Sequence, residues 1–554
     1  MKIALAQIDT LIGDIEGNAQ RIREATERAR SKGAELVVFP ELTISGYDPR
    51  DLLQMPSFLA RCERALLDLA KPAGWSSGIA LAVGSPLPNR EGAGAPAHNA
   101  CVLIEGGEIR AVARKSLLPS YDVLEEHRHF EPSSEVCVTT LSGMTVGLSV
   151  CEDIWSSPRF HGRRRHKRDP VSEMTAAGAD LLLNISASPF HAEKPSFRER
   201  MLESLASGHG IQIVMTNLVG GNDGTVFDGS SLALAADGHT VVRCLSFEED
   251  LRIFDTSAAS STHSGEPRAG DDLDDVHRAI VLGIRDYCRK TGFKGAVLGL
   301  SGGIDSAVVA ALAVDALGPE HVLALAMPSR YSSPGSLSDA RLLAGNLGIE
   351  LQEISIEQPF GAVLEQLEPH LWPEGAAIDL AHENIQPRLR AVYAMAFSNA
   401  RGALLLACGN KSEIAVGYST LYGDMAGGLS PLGDVLKTQV YALAQRINEK
   451  AGRSLIPASI IDKAPSAELA PGQRDEDSLP PYRVLDPIVR AFVEEGLCAE
   501  EIAERGHDRE TAERVVGMIT RAEYKRRQGP PVLKVSSSPF VSGYRLPMAA
   551  KIQP

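Results

Sequence analysis

Cysteine is scarce in this chain, since only eight occur among 554 residues and no two of them form a Cys-x-x-Cys pair. A disulfide scaffold and a thiolate zinc site of the usual spacing are therefore excluded. No run of about 18 apolar residues is free of charge, so no membrane span is predicted. The N-terminus turns polar after eight residues, which is typical of a strand and not of a signal peptide. We therefore predict a cytoplasmic protein, because a single reactive thiol can persist in that reducing compartment.

The chain also has fewer basic than acidic residues. The 56 Lys and Arg residues against 71 Asp and Glu residues give a net charge of −15 at pH 7, which argues against a surface that binds nucleic acid. One basic run, HGRRRHKR at 161–168, lacks a broader basic field and is interpreted as a solvated loop or a subunit contact. Apolar residues make up 44% and charged residues 23% of the chain, which is typical of globular domains with large cores.

The first half of the chain has the pattern of a layered α/β sandwich. Short runs rich in Val, Ile and Leu recur between turn and helix signals, which predicts buried strands covered on both faces. Helices are predicted at 18–31 and 198–207, and the strand runs lie at 2–8, 35–39, 79–84, 100–104, 145–150, 180–185, 211–216 and 231–235.

A doubly wound parallel sheet with helices on both faces is predicted for the second half, because strand runs alternate there with helical stretches. The half opens with a helix at 274–290, and its strand runs lie at 295–300, 322–327, 351–356 and 404–408. Residues 259–273 are rich in Ser, Thr, Gly, Pro and Asp and are predicted to be a linker. The predicted domains are accordingly 1–258 and 274–554.

Three reactive side chains follow predicted strands in the first half. Glu41 comes after LVVFP, Lys115 follows a strand run and a Gly-Gly turn, and Cys151 ends the run MTVGLSV. A thiol must lose its proton to attack a carbonyl, and a carboxylate can accept that proton. An ammonium offsets the carboxylate and stabilises an oxyanion. Each residue alone is typical of a packed thiol or an exposed charge, but together they predict a catalytic site.

The contexts of these residues carry a family resemblance. VVFPEL around Glu41, RKSLLP around Lys115 and GLSVCEDIW around Cys151 resemble the nitrilase, or carbon–nitrogen hydrolase, superfamily over residues 1–250. The resemblance implies an α-β-β-α sandwich in which Glu is the general base, Lys supports the tetrahedral intermediate and Cys forms a thioester. It also implies glutamine-binding positions, with Lys194 for the carboxylate and Glu126 for the ammonium of glutamine: Tyr121, Glu126, Ser188 and Lys194.

A glycine turn joins a predicted strand to an apolar helix in AVLGLSGGIDS at 296–306. Glycines let backbone N–H groups approach phosphate oxygens, and the helix adds its positive N-terminal end. The pattern SGG-x-DS resembles the pyrophosphatase loop of ATP-dependent adenylating enzymes, which cleave ATP between the α and β phosphates. The chain has no GxxxxGKS or GxxxxGKT sequence, so a Walker-type γ-phosphate transferase is disfavoured.

Four downstream stretches, together with this loop, resemble the NAD synthetase family over most of residues 270–545: ENIQPRLR (383–390), CGNKSEIAVGYSTLYGDMAGGLSPLGDVLKT (408–438), KAPSAELAPGQRDEDSLPPY (463–482) and EYKRRQ (523–528). The resemblance implies an adenine nucleotide α-hydrolase-like fold. It implies an ATP site formed by Gly299, Leu300, Ser301, Gly302, Gly303, Ile304, Asp305, Ser306, Cys408, Lys437 and Ser466. It implies contacts to deamido-NAD⁺ (nicotinic acid adenine dinucleotide) from Asn384, Arg388, Glu413 and Lys525, and a Mg²⁺ held by Asp305 and Glu413.

Two residues depart from the family pattern. Cys408 stands where relatives commonly carry Thr, and a thiol is the weaker hydrogen-bond partner for ATP. Pro387 stands where relatives often carry Ala; it lacks an N–H and disfavours the helical region for Gln386, which affects how Asn384 is placed relative to Arg388. The acidic RDEDS at 474–478 is interpreted either as a mobile surface loop or as a lid over the adenylate.

Together the two resemblances imply the glutamine-dependent NAD⁺ synthetase family. Cys151 would release ammonia from glutamine, ATP would adenylate the nicotinate carboxylate, and ammonia would displace AMP. Because ammonia is protonated near neutral pH and then is not nucleophilic, a protected route between the two sites is expected. The implied partners are glutamine, ATP and deamido-NAD⁺, without nucleic acid or membrane, and the implied assembly is a homo-oligomer.

Two other interpretations stay open from the residues alone. Another glutamine-dependent amidating ligase, GMP-synthetase-like or asparagine-synthetase-like, can carry the same loop, although the GNKSE and EYKRRQ stretches speak against it. A nucleotide-binding sensor that has lost catalysis would bind ATP without forming AMP. The presence of Glu41, Lys115 and Cys151 beside SGG-x-DS argues against such a sensor.

Overall fold

The computed structural model describes residues 1–71, 73–156, 166–257, 270–372 and 379–551. The chain divides into two compact units, Met1–Gly270 and Asp271–Pro554. Most of the basic run at 161–168 and most of the predicted linker at 259–273 lie outside the described residues. Within the described part of the chain, no helix is both long and apolar enough to span a bilayer.

Unit 1 contains two six-stranded sheets with a pair of helices outside each. Its helices are α1 (Ile15–Ser31), α2 (Pro56–Ala70), α3 (Pro170–Ala176) and α4 (Lys194–His209). Its strands in chain order are β1 (Lys2–Gln7), β2 (Leu36–Val38), β3 (Ala80–Pro88), β4 (Ala97–Glu105), β5 (Glu108–Arg114), β6 (Cys137–Leu141), β7 (Met144–Val150), β8 (Leu181–Ser186), β9 (Gln212–Asn217), β10 (Val219–Asn222), β11 (Thr225–Asp228), β12 (Leu232–Leu234), β13 (Thr240–Arg243) and β14 (Asp250–Asp255).

The strand orders and the side-chain alternation define four layers. One sheet has the order β14-β1-β2-β3-β4-β5 and the other β13-β12-β9-β8-β7-β6, while β10 and β11 form a separate hairpin. Alternate residues of β1 point to opposite faces: Ile3 and Leu5 pack with Leu181 of the facing sheet, whereas Ala4 and Ala6 pack with Ile22 of α1. The predicted α-β-β-α sandwich is therefore confirmed.

Unit 2 is built on a four-stranded parallel sheet of order β17-β16-β15-β18, with strands β15 (Ala296–Gly299), β16 (Val322–Ala326), β17 (Glu350–Glu353) and β18 (Leu404–Leu406). The predicted parallel α/β sheet is confirmed. Its helices are α5 (Asp272–Thr291), α6 (Ile304–Leu317), α7 (Pro334–Leu347), α8 (Glu357–Leu371), α9 (Leu380–Arg401), α10 (Lys411–Val416), α11 (Lys437–Ala451), α12 (Ala458–Ile461), α13 (Tyr482–Val493), α14 (Ala499–Glu504), α15 (Arg509–Arg521) and α16 (Glu523–Arg526).

The connections of this sheet place its functional loop. β15 lies between β16 and β18, so the chain leaves β15 at the point where the strand order changes direction. In open parallel sheets, ligands bind in the crevice at the carboxyl ends of the strands at such a point. The Ser301-Gly302-Gly303 turn follows β15 directly and leads into α6.

Helix α9 runs through Pro387 without a break, contrary to the expectation that this proline disfavours the helical region at Gln386. The side chain of Gln386 is buried and held at both ends, since it accepts a hydrogen bond from Ser329 and donates one to the carbonyl of Leu469. These tertiary contacts outweigh the local preference. Asn384 and Arg388 consequently lie one helical turn apart on a continuous helix.

Candidate active sites

In unit 1, the three predicted catalytic residues converge at the ends of their strands. Lys115 Nζ lies 2.7 Å from Glu41 Oε1, and both side chains are completely buried. Burial raises the pKa of the Cys151 thiol; the charge of Glu41 raises it further, whereas Lys115 lowers it. The thiol is therefore protonated at rest and needs a base in contact with it before it can attack.

Cys151 occupies a strained turn. It directly follows β7, and its φ of +43° lies in the left-handed region that residues other than glycine seldom adopt. Asp153 supports this turn by accepting hydrogen bonds from the backbone N–H groups of Val150, Ser116 and Leu117, each at 2.9 Å. The same carboxylate thus ties the Cys151 turn to the loop that carries Lys115. Such strained strand-to-turn positions present nucleophiles in other hydrolases.

A second carboxylate completes the buried charge network. Glu126 lies 2.8 Å from Lys115 Nζ and accepts a hydrogen bond from Tyr47 at 2.9 Å. Burial raises the pKa of Glu126 to about 8, although Lys115 lowers it. Burial also works against the ammonium of Lys115, but Glu126 and Glu41 outweigh it and raise the pKa of Lys115 well above its usual value.

The carboxylate of Glu41 is held on both oxygens. Oε1 accepts hydrogen bonds from Lys115 and, at 2.6 Å, from the side-chain amide of Asn99, while Oε2 accepts from the N–H of Ala187 at 2.8 Å. Asn99 belongs to β4 and was not predicted as a site residue. Because its amide lies in an apolar strand run, the sequence carries no signal for this role.

Of the remaining predicted glutamine positions, Tyr121 contacts the residue after the nucleophile, whereas Ser188 and Lys194 contact other residues. Tyr121 donates a hydrogen bond to the buried carboxylate of Glu152 at 2.8 Å, and His166 contacts its other oxygen at 2.9 Å. Lys194 is the first residue of α4; it donates to the carbonyl of Pro189 and lies 5.6 Å from the ring centroid of Trp155. Ser188 is buried and donates its N–H to Asn217. Glu152 was not predicted, although it adjoins Cys151 in the motif.

In unit 2, a cavity of about 330 Å³ opens at the carboxyl ends of β15, β16 and β18. Its wall includes ten of the eleven residues predicted to bind ATP: Gly299, Leu300, Ser301, Gly303, Ile304, Asp305, Ser306, Cys408, Lys437 and Ser466. Glu413 also lines it. The thiol of Cys408 faces the carbonyl of Gly299 at 3.8 Å, and burial raises its pKa to about 12.

Two carboxylates of this cavity meet at the ammonium of Lys437. Lys437 Nζ lies 2.5 Å from Asp305 Oδ2 and 3.2 Å from Glu413 Oε1. Burial raises the pKa of Glu413 to about 8 in spite of Lys437. Asp475, in the acidic stretch that was interpreted as a loop or a lid, is buried in the cavity wall and accepts a hydrogen bond from Tyr482. Asp475 of that stretch therefore forms part of the cavity wall.

The other predicted dinucleotide contacts lie near the cavity. Asn384 accepts a hydrogen bond from Thr420, and Lys525 donates to the carbonyls of Gly417 and Ser419. Arg388 donates to the carbonyl of Leu421 and lines a separate open groove of about 520 Å³ together with Met395 and others. The structure thus places Asn384, Arg388 and Lys525 around the loop 417–421 rather than in the cavity wall.

Comparisons with known proteins cover both units. Residues 2–262 match the family model for carbon–nitrogen hydrolases, and residues 276–529 match that for NAD synthases. The glutamine-dependent NAD(+) synthetase of Synechocystis sp. is 42% identical over 561 residues, which span 100% of this chain and 99% of that protein. The chain belongs to the glutamine-dependent NAD⁺ synthetase family.

Other members of this family are also similar to this chain over nearly its full length. The glutamine-dependent NAD(+) synthetase of Thermotoga maritima is 38% identical over 588 residues, covering 100% of this chain and 99% of that protein. The solved structure of the glutamine-dependent NAD⁺ synthetase from Acinetobacter baumannii, in complex with ADP, is 34% identical, with a TM-score of 0.77 and coverage of 99% of this chain and 98% of that chain. The similarity therefore extends across both halves of the NAD⁺ synthetase family architecture.

In this NAD⁺ synthetase family member, the turn between β15 and α6 requires a glycine at Gly302. Gly302 has a φ of +75°, and a Cβ added there would lie 2.2 Å from the carbonyl oxygen of Ser336. We expect Gly302→Ala to displace the loop, to destabilise unit 2 by about 1–3 kcal/mol, and to lower ammonia-driven NAD⁺ synthesis by about 100-fold, since the N–H groups that are predicted to bind phosphate would move. Thermal unfolding and steady-state kinetics measure the two effects.

Gly335→Ala is the matched control for this substitution. Gly335 lies in the first turn of α7, and an added Cβ would meet only Ser333 Oγ, at the ordinary distance of 3.7 Å. Its stability and its synthesis rate should equal those of the unsubstituted chain. Equal behaviour of the two alanine variants would contradict the close approach of Gly302 to Ser336.

Proposed function

We propose that this chain amidates deamido-NAD⁺ to NAD⁺ with ATP and glutamine, and releases AMP, pyrophosphate and glutamate. The observation that carries this proposal is the presence in one chain of a buried Cys151–Glu41–Lys115 cluster and a cavity floored by the SGG-x-DS loop. The names of the full-length relatives support the same activity.

The first unit would hydrolyse glutamine through a thioester. Glu41 takes the thiol proton of Cys151 as Sγ bonds to the side-chain carbonyl carbon of glutamine. Lys115 stabilises the negative charge that develops on the carbonyl oxygen. The C–N bond then breaks as the proton passes from Glu41 to the departing ammonia. Water, deprotonated by the same carboxylate, hydrolyses the thioester to glutamate.

We assign the α-ammonium of glutamine to Glu152 in preference to Glu126. The carboxylate of Glu126 already accepts from Tyr47 and pairs with Lys115, so it belongs to the catalytic charge network. Glu152 adjoins Cys151 and is linked to Tyr121, which the family resemblance connects with glutamine. A buried carboxylate at that position suits a substrate ammonium. Lys194 remains the proposed partner of the substrate carboxylate, and Ser188 a neighbouring contact.

The second unit would activate the nicotinate carboxylate. That carboxylate attacks the α-phosphate of ATP and pyrophosphate leaves, which gives an acyl adenylate. Ammonia then attacks the acyl carbon and AMP leaves, which gives the amide. Charge accumulates on the departing pyrophosphate, so the N–H groups of Ser301–Gly303, the N-terminus of α6 and the Lys437 ammonium are suited to stabilise it. Asn384, Arg388 and Lys525 are proposed to bind the dinucleotide.

Magnesium fits the carboxylates of this cavity. Asp305 and Glu413 already share one cation, the ammonium of Lys437, and carboxylate oxygens are the ligands that Mg²⁺ prefers. We propose that these two residues hold Mg²⁺ together with phosphate oxygens of ATP. The ion would supply charge neutralisation for the phosphates. A cytoplasmic location, predicted from the composition, and a homo-oligomeric state, implied by the family resemblance, remain predictions.

One product assay tests this function against its alternatives. The purified chain is incubated with deamido-NAD⁺, ATP, Mg²⁺ and glutamine, and NAD⁺, AMP and glutamate are quantified together. We expect NAD⁺ and AMP in equal amounts, with at least as much glutamate. Formation of AMP with XMP or aspartate as acceptor, but not with deamido-NAD⁺, would indicate another amidating ligase. Binding of ATP without formation of AMP would indicate a sensor.

A further inference from the structure

Asp486 is a buried carboxylate of α13 that contacts the sequence neighbours of two cavity residues. It is 2% exposed. Its Oδ1 accepts a hydrogen bond from Ser412 Oγ at 2.6 Å, and its Oδ2 accepts from the N–H and the hydroxyl of Thr438 at 2.8 and 2.7 Å. Ser412 immediately precedes Glu413, and Thr438 immediately follows Lys437.

These contacts close a ring around the first turns of two helices. Ser412 Oγ, besides donating to Asp486, accepts the backbone N–H of Lys437 at 2.9 Å. Helix α10 begins at Lys411 and α11 at Lys437, and the first N–H groups of a helix need acceptors from outside it. Asp486 and Ser412 supply these acceptors for α11, so the beginnings of the two helices are fixed to each other.

The ring therefore sets the separation of the two charged side chains above it. Glu413 Oε1 and Lys437 Nζ face each other at 3.2 Å across the cavity wall. A buried carboxylate is a costly way to fill space, and apolar side chains of similar size are commonly as stable or more stable. The three hydrogen bonds to Asp486 therefore serve mainly to fix the relative position of the two helix beginnings, and contribute less to the stability of the fold.

We propose that Asp486 is a positioning residue for synthesis, which fixes Glu413 relative to Lys437 and thereby the charge cluster that also contains Asp305. The proposal rests on the adenylating function proposed for unit 2. Asp486 itself does not contact the reacting atoms in this account. It acts through the backbone of Lys437 and through Ser412.

Asp486→Asn tests this role with little change in shape. The amide nitrogen cannot accept a hydrogen bond, so either Ser412 or Thr438 loses its acceptor. We expect kcat of ammonia-driven NAD⁺ synthesis to fall about 10- to 100-fold, the effect of losing a hydrogen bond to a charged group. The KM values for ATP and deamido-NAD⁺ should change less than about threefold, because the groups assigned to substrate binding are retained.

The split between kcat and KM separates positioning from general destabilisation. A variant that only destabilises the fold loses folded enzyme, which circular dichroism measures, and keeps the kcat of each folded molecule. If Asp486 positions Glu413 relative to Lys437, the kcat of each folded molecule falls while the KM values stay within about threefold. Asp286→Asn serves as the control, because Asp286 is 3% exposed and pairs with Arg289 on its own helix α5. Its kcat and KM values should match those of the unsubstituted chain.

If Asp486→Asn fails to fold, two substitutions of Thr438 test the positioning role instead. Thr438→Ser keeps the hydroxyl that donates to Asp486, whereas Thr438→Val removes it. The serine variant should retain kcat, and the valine variant should show the lowered kcat with little change in the KM values. An unchanged kcat per folded molecule in Thr438→Val, or in a folded Asp486→Asn, overturns the proposal. Failure of the unsubstituted chain to form NAD⁺ and AMP would instead overturn the proposed function.

Discussion

Replacing Cys151 with alanine is expected to lower glutamine-driven NAD⁺ formation by about four orders of magnitude or more, with ammonia-driven formation unchanged. In the proposed mechanism the thiol of Cys151 bonds to the glutamine carbonyl carbon, and neither Glu41 nor Lys115 can replace it. Ammonia enters the second reaction directly, and that reaction uses residues of unit 2. Steady-state rates measured with glutamine and with ammonium chloride give the comparison.

Cys101→Ala is the matched control for that result. Cys101 is a fully buried thiol of β4 that packs between the two sheets of unit 1. Its replacement removes the same atoms without touching the charge network, so both rates should stay close to normal. Loss of both activities in Cys151→Ala would mean that the two reactions are not separable, and full glutamine-driven activity would exclude Cys151 as the nucleophile.

Replacing Lys437 with methionine is expected to lower both glutamine-driven and ammonia-driven synthesis by about 10²- to 10³-fold, the loss typical of removing one electrostatic stabiliser of developing charge. Lys437 is 3% exposed and contacts Asp305 and Glu413. Burial raises the pKa of Glu413 to about 8 although Lys437 lowers it, so loss of the Lys437 charge raises this pKa further. The rate of pyrophosphate release with deamido-NAD⁺ and ATP reports this step alone.

Lys450→Met provides the comparison for Lys437→Met. Lys450 lies in the last turn of the same helix, α11, and pairs with Asp274 at 2.8 Å with 42% of its side chain exposed. Exposed ion pairs contribute little, typically below about 1 kcal/mol. The Lys450 variant should therefore synthesise NAD⁺ normally. Equal rates in the two methionine variants would contradict a role of Lys437 in stabilising the departing pyrophosphate.

In unit 1, the strands that the sequence pattern predicted are interior strands, and most of those it did not predict lie at sheet edges. In unit 2, the pattern also predicted the two edge strands, β17 and β18. Strands β5, β6, β13 and β14 are the four edge strands of the two large sheets. An edge strand has a neighbour on one side only, and sequences such as EIRAVAR and DLRIFD alternate polar with apolar residues. They therefore lack the continuous apolar run that marks a strand buried on both faces. β14 also closes its sheet by pairing with β1 from about 250 residues away.

The sequence motifs predicted the reactive side chains, but the residues that support them were found only in the structure. Glu41, Lys115 and Cys151 stand at strand ends in recognisable surroundings, so their convergence follows from the topology of the sheets. Asn99 and Asp486 stand in apolar surroundings that carry no such mark. Their contacts join residues more than 40 positions apart in sequence. Only packing brings these groups together, so composition and spacing cannot reveal them.

Transfer of labelled nitrogen tests the central claim most directly. The unsubstituted chain is supplied with glutamine labelled with ¹⁵N in its side-chain amide, ATP, Mg²⁺ and deamido-NAD⁺, in the presence of excess unlabelled ammonium. We predict that the NAD⁺ produced carries the label, because ammonia reaches the adenylate without equilibrating with solvent, and that AMP forms in equal amount. NAD⁺ whose label is completely diluted by the ammonium would contradict protected transfer, and ADP in place of AMP would contradict adenylation.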